Sequence, residues 1–248
     1  MKKAILYVFH GSRLKQSNEE AILFFYSCKN FADFSIQHYS FLELASPTIE
    51  EGFEKCIQSG ATEIAVVPVL LFSAGHAKKD IPLILSSVKK KYPEVIIRYG
   101  QTLSVREAMV DVIEEKVNDT INKSGITNQK FRLILIGRGS KDQEMQRNFQ
   151  QLTKMVENRL QTKVDYCFLT AAQPLFKDVL ENVQVKQDET IIFVPYLLFK
   201  GLLLKGIERD LQKVNGNVLL TDYIGQNEKV QKLVVERANE AFLQSAFG

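Results

Sequence analysis

The 248-residue chain has no tryptophan, only three cysteines and only three histidines. Cys28, Cys56 and Cys167 lie far apart and form no Cys-x-x-Cys pair. That spacing excludes a zinc site or iron–sulfur cluster built on cysteine and reads as buried, reduced thiols. No apolar run is long enough to span a bilayer. The opening MKKAILYVFHGS is basic and then apolar, but its apolar part ends after about seven residues in His-Gly-Ser-Arg, as a buried strand would. The expectation is a cytoplasmic protein without membrane association. The net charge of +3 is too small to argue for nucleic acid.

What is present is ordinary for a globular chain: 45% hydrophobic and 25% charged residues, over a length that allows one large or two small domains. Apolar runs alternate with helical spacing throughout. KAILYVF, SIQHYSFLEL, EIAVVPVLLF and EVIIRYG read as four strands, with helices over about 16–30, 46–60, 76–91 and 104–121 between and after them. Ser46 reads as an N-cap with Pro47 at the first helical position. EIAVVPVLLF, apolar without alternation, fits a strand buried on both faces. A polar stretch containing Gly125 follows, and the strand–helix order then repeats with FRLILIG, KVDYCFLT, TIIFVPYLLF and NVLLTDYIG as strands.

The repetition extends to single residues. VFHGSR (8–13) matches IGRGSK (136–141), FLELASP (41–47) matches FLTAAQP (168–174), VVPVLLF (66–72) matches FVPYLLF (193–199), and YGQ (99–101) matches IGQ (224–226). Four independent anchors at a near-constant spacing of about 127 residues mark an internal duplication. The fold class expected is α/β: two similar lobes, each a four-stranded parallel sheet with helices on both faces. The lobes are expected at 1–121 and 131–248, joined by a linker at 122–130 and facing one another across a cleft.

Parallel α/β sheets bind ligands beyond the carboxyl ends of their strands. His10 follows the first strand, Glu43 the second and His76 the third, so all three fall at that edge of the first half. Two imidazoles and a carboxylate suit a first-row divalent metal and can accept protons near neutral pH. In the second half the same positions hold Arg138, Thr170 and Leu203. The backbone anchors persist while the chemical groups are lost, which points to one active half and one binding wall. Arg138 in that wall suits an anionic ligand. Ser73, Ala74 and Gly75 are small enough to let backbone approach a flat ligand. Asp80, four residues after His76, is placed to orient its imidazole. His38, in mid-strand, reads as structural.

HGSR, FLELASP and SAGHAKKDIP together resemble the class II tetrapyrrole chelatases of the sirohydrochlorin ferrochelatase and cobaltochelatase family, in their long, duplicated form. The resemblance covers nearly the whole chain. It implies a lyase-type enzyme that inserts a divalent metal into sirohydrochlorin, a carboxylate-rich macrocycle, with no permanently bound cofactor. It implies His10 as proton acceptor and metal-contacting residue, His76 as second metal histidine and Glu43 as acidic partner contacting metal and macrocycle. Leu71, Phe72, Ser73, Ala74 and Gly75 are implied to line the macrocycle, with basic residues such as Arg138 positioning its carboxylates. The chain ends ANEAFLQSAFG, without the histidine- or cysteine-rich tail of some long cobalt-type relatives. That favours Fe²⁺ and siroheme synthesis, with Co²⁺ or Ni²⁺ insertion as the alternative. A non-catalytic metal or tetrapyrrole carrier of the same two-lobed build is a second alternative. A duplicated chain that replaces a symmetric dimer is expected to be a monomer.

Overall fold

The computed structural model describes residues 2–125, 130–185 and 189–247. The first half contains β1 (Lys3–Phe9), α1 (Lys15–Lys29), β2 (Ile36–Phe41), α2 (Ile49–Gln58), β3 (Glu63–Pro68), a π-helical turn (His76–Asp80), α3 (Ile81–Lys91), β4 (Ile96–Tyr99) and α4 (Glu107–Ser124). The second half follows the same order with β5 (Lys130–Gly137), α5 (Gln143–Leu160), β6 (Val164–Phe168), α6 (Phe176–Asn182), β7 (Glu189–Pro195), α7 (Leu202–Leu211), β8 (Val218–Leu220) and α8 (Glu228–Leu243). The strands form two four-stranded parallel sheets of identical topology, β2-β1-β3-β4 and β6-β5-β7-β8. The α/β fold expected from the alternating pattern is therefore the one observed.

The central strands explain why the apolar runs are unbroken. Every residue of β3 is buried, as are Ala4 to Phe9 of β1, because helices cover both faces of the sheet. On one face Leu6, Val8, Ile64, Val66 and Ile97 pack with Phe53 of α2 and Leu85 of α3. The second sheet builds the corresponding core from Ile134, Ile136, Ile191, Phe193 and Ile207.

Three element boundaries differ from the sequence expectation. Ser46 does not cap α2; Thr48 does, accepting from the Glu51 amide at 3.3 Å while the Glu51 carboxylate accepts from the Thr48 amide at 2.8 Å. This capping box satisfies two amides reciprocally, and it starts the helix beyond a cis Ser46–Pro47 peptide. The equivalent Gln173–Pro174 peptide is also cis, and α6 opens at Phe176 rather than Pro174. The expected helix over 76–91 begins as the π-helical turn.

The domain boundaries differ as well. The chain divides into two compact units, Met1–Ser104 with Gln231–Gly248, and Val105–Val230. The repeats have thus exchanged their last helices. α4 packs on α5 in the second unit, and Arg159 of α5 bonds to Asp111 and Glu114 of α4 at 2.6 and 3.1 Å. In the first unit, α8 carries the buried Arg237, whose guanidinium donates to the Leu103 carbonyl at 2.7 Å. The expected linker is partly helix, since α4 runs through Ser124, and 126–129 lie outside the described residues.

Candidate metal centre

In the first unit the order β2-β1-β3-β4 reverses direction at β1/β3, the switch point where such sheets leave a crevice at the carboxyl edge. Parallel pairing carries on past the strands. Leu42 donates to the Phe9 carbonyl at 2.8 Å, Glu43 to the His10 carbonyl at 3.1 Å, and Val69 to the Val8 carbonyl at 2.8 Å. Backbone hydrogen bonds thereby place His10 beside Glu43.

Gly11 makes this approach possible. It adopts φ +88°, and a β-carbon there would lie 1.8 Å from the Glu43 carbonyl oxygen. The following turn is tied by Ser12, whose hydroxyl accepts from the Leu14 amide at 3.1 Å and whose carbonyl accepts from Asn18 Nδ2 at 2.8 Å. On the third side, Leu70 and Leu71 accept from the amides of Leu103 and Ser104 at 2.9 and 2.7 Å. This ties the segment before His76 to the one that follows β4.

Ligand atoms from His10, Glu43 and His76 all lie within 4.8 Å of one another. The two imidazoles meet edge to face with centroids 4.7 Å apart, and His10 Nδ1 lies 3.6 Å from a Glu43 oxygen. Both histidines have their tautomer set by a neighbour. His10 Nδ1 is 3.0 Å from the Gly11 carbonyl, and His76 Nδ1 is 2.8 Å from Asp80 Oδ2. Those oxygens only accept, so in the neutral ring the proton belongs on Nδ1 and the lone pair on Nε2. A neutral imidazole held by a carboxylate on its far nitrogen is the usual arrangement for a metal-binding histidine. The arrangement can hold a divalent cation and accept protons close to it.

The other candidate residues are described each within its own unit. Leu71, Phe72, Ser73 and Ala74 are half-buried and Gly75 is exposed in the segment that leads to the π-turn. Asp80 stands at the end of that turn. Arg138 is exposed at the carboxyl end of β5 in the second unit. His38 lies in mid-strand, away from this edge, with Nε2 3.1 Å from the Ser59 hydroxyl. Burial, and then the charges of Lys55 and Lys29, hold its pKa below the ordinary histidine value. Residue-type reasoning missed Gly11 and Tyr99, although the repeats keep the glycine and change the tyrosine to Ile224. The Tyr99 hydroxyl donates to the Ala77 carbonyl at 2.7 Å.

The second unit repeats this scaffold without its chemistry. Thr170 donates to the Arg138 carbonyl at 3.1 Å, and Gly139, at φ +92°, faces the Thr170 carbonyl as Gly11 faces that of Glu43. Ser140 accepts from the Asp142 amide at 3.1 Å, and Gln146 donates to the Ser140 carbonyl at 2.9 Å. Leu203 stands where His76 does, in a regular α-helix.

Fold and site together define a duplicated α/β protein with a metal-competent site in one of its two copies. The chain belongs to the CbiX family, whose sequence model matches residues 4–120 and again 132–241. A sirohydrochlorin ferrochelatase of Bacillus subtilis (strain 168) is 41% identical over 249 residues, covering 99% of this chain and 94% of its own. The structure of SirB from Bacillus subtilis with Fe³⁺ matches with a TM-score of 0.91 at 40% identity over 100% of both chains. SirB from Bacillus subtilis subspecies spizizenii in complex with cobalt matches with a TM-score of 0.87 at 38% identity, again over 100% of both chains.

Proposed function

We propose that this chain is a sirohydrochlorin ferrochelatase: it takes Fe²⁺ and sirohydrochlorin and gives siroheme and two protons. The observation that carries the reading is the convergence of His10, Glu43 and His76 at the β1/β3 switch point of one unit, in a chain 41% identical to a sirohydrochlorin ferrochelatase. Insertion removes two pyrrole N–H protons and strips water from the metal. In our reading His10 and His76 hold the metal through Nε2, Glu43 supplies the carboxylate ligand, and Asp80 keeps His76 in the ligating tautomer. As the pyrrole nitrogens take over coordination, the freed Nε2 of His10 accepts one pyrrole proton and that of His76 the other, and both pass on to water. The small residues Ser73 to Gly75 let the macrocycle approach the backbone, and Leu71 and Phe72 offer it apolar contact.

Cobalt insertion is the second reading, favoured by the cobalt complex of the SirB relative. An imidazole–carboxylate set accepts either ion, so donor type alone does not choose between them. Three free, buried cysteines suit a reducing compartment, and we place the chain in the cytoplasm as a monomer. No helix among the described residues is long and apolar enough to cross a membrane.

The test is anaerobic metallation of sirohydrochlorin followed by its visible spectrum, with Fe²⁺, with Co²⁺ and without protein. Metallation well above the protein-free rate, faster with Fe²⁺, is the expected result. Faster turnover with Co²⁺ would make the cobalt reading correct. Binding of the macrocycle without acceleration by either metal would make the protein a carrier.

A further inference from the structure

The π-turn that carries His76 leaves the Ala77 carbonyl short of a helical donor. The Ile81 amide bonds to the His76 carbonyl, five residues back. The Ala77 carbonyl would take the Ile81 amide in an α-helix, or the residue-82 amide if the π-helix continued. The first is committed, and residue 82 is proline, which has no N–H. Tyr99, at the end of β4, supplies the donor through its hydroxyl at 2.7 Å. Its ring is held edge to face by Phe247, with centroids 6.2 Å apart.

The duplicated half acts as an internal control. His76, Asp80, Pro82 and Tyr99 match Leu203, Ile207, Arg209 and Ile224. Where the histidine is gone, the carboxylate that holds it, the proline and the hydroxyl are gone too, and the segment is ordinary α-helix from Leu202.

We propose that Tyr99 is a positioning residue for His76. Its hydroxyl closes the π-turn and so holds the His76 ring in reach of His10 and Glu43. The inference rests on the reading of His76 as a metal ligand. The probe is Co²⁺ alone, added anaerobically to the full chain and followed by its ligand-field absorption. Tyr99→Phe keeps the ring and removes only the hydroxyl. It is expected to raise the Co²⁺ dissociation constant about tenfold, within the range typical for partners of metal ligands, with the melting temperature close to wild type. In a His76→Ala background Tyr99→Phe is expected to add nothing further. Tyr92→Phe, which removes a hydroxyl bonded to Glu54 at 3.1 Å, is expected to leave Co²⁺ binding unchanged.

If Tyr99→Phe binds Co²⁺ as wild type does while His76→Ala is weakened, the Tyr99 inference is overturned and the metal site stands. If Tyr99→Phe weakens binding by the same factor with or without His76, the effect is general loosening and the inference is overturned. If His76→Ala binds Co²⁺ as wild type does, the metal assignment and the inference both fall.

Discussion

Gly75 sits where an added β-carbon would meet no protein atom within 4 Å, in ordinary right-handed backbone at φ −40°. Nothing inside the protein demands a glycine there, which agrees with the proposed approach of the macrocycle to this backbone. Gly75→Val is therefore expected to leave the melting temperature within about 2 °C of wild type, since valine costs no more than glycine in helical backbone. It is expected to weaken sirohydrochlorin binding about tenfold, near 1.4 kcal/mol, read by the macrocycle's absorption. Wild-type affinity would remove Gly75 from the proposed binding surface. At this scale much of the site was legible in the sequence. His10, Glu43 and His76 each follow a strand, and the carboxyl-edge rule alone puts them together. Asp80 follows from helical spacing. Tyr99 was not legible, because its hydroxyl answers a vacancy in a turn whose hydrogen bonding the sequence pattern does not display.

The β1–α1 turn recurs in the second repeat between β5 and α5, with Arg138 in place of His10. Gly11 and Gly139 adopt nearly the same left-handed conformation, and a β-carbon at either would lie 1.8 Å from a carbonyl oxygen. Gly11→Ala and Gly139→Ala are each expected to cost about 2 kcal/mol or more in urea unfolding, from backbone strain and the displaced neighbour. Only Gly11→Ala, which pushes Glu43 from His10, is expected to weaken Co²⁺ binding by the folded protein. Equal loss of metal affinity in both variants would contradict the assignment of the site to the first repeat. Strand positions were legible because apolar runs buried on both faces leave no other reading. The sequence pattern starts α2 too early. Ser46–Pro47 looks like a cap and first turn, yet Thr48 and Glu51 satisfy the helix amides between them. The π-turn leaves no mark in the sequence pattern, because helical periodicity tolerates one extra residue.

On the scale of the whole molecule, the division read from the repeat is not the division made by packing. Repetition reports ancestry, and it matches the family at 4–120 and 132–241, whereas burial decides that most of α8 belongs with the first sheet and α4 with the second. No local pattern carries that information, because both helices have an apolar face and either sheet accepts one. The exchange gives Arg237 a large role. It is 1% exposed, donates to the Leu103 carbonyl at 2.7 Å and pairs with Glu240 at 2.6 Å. Arg237→Ala is expected to destabilise the protein by about 3 kcal/mol in urea unfolding, as loss of a buried, hydrogen-bonded charge does. A change under about 0.5 kcal/mol, typical of surface substitutions, would mean that this contact does not hold α8 to the first unit.

The most direct test of the account is the anaerobic rate of Fe²⁺ insertion into sirohydrochlorin by wild type and by His10→Ala, with macrocycle binding measured on the same samples. The account predicts that His10→Ala still binds sirohydrochlorin but metallates it about 100-fold or more slowly, the scale of a lost proton acceptor. A His10→Ala rate within about twofold of wild type, well short of any general-base contribution, would contradict it.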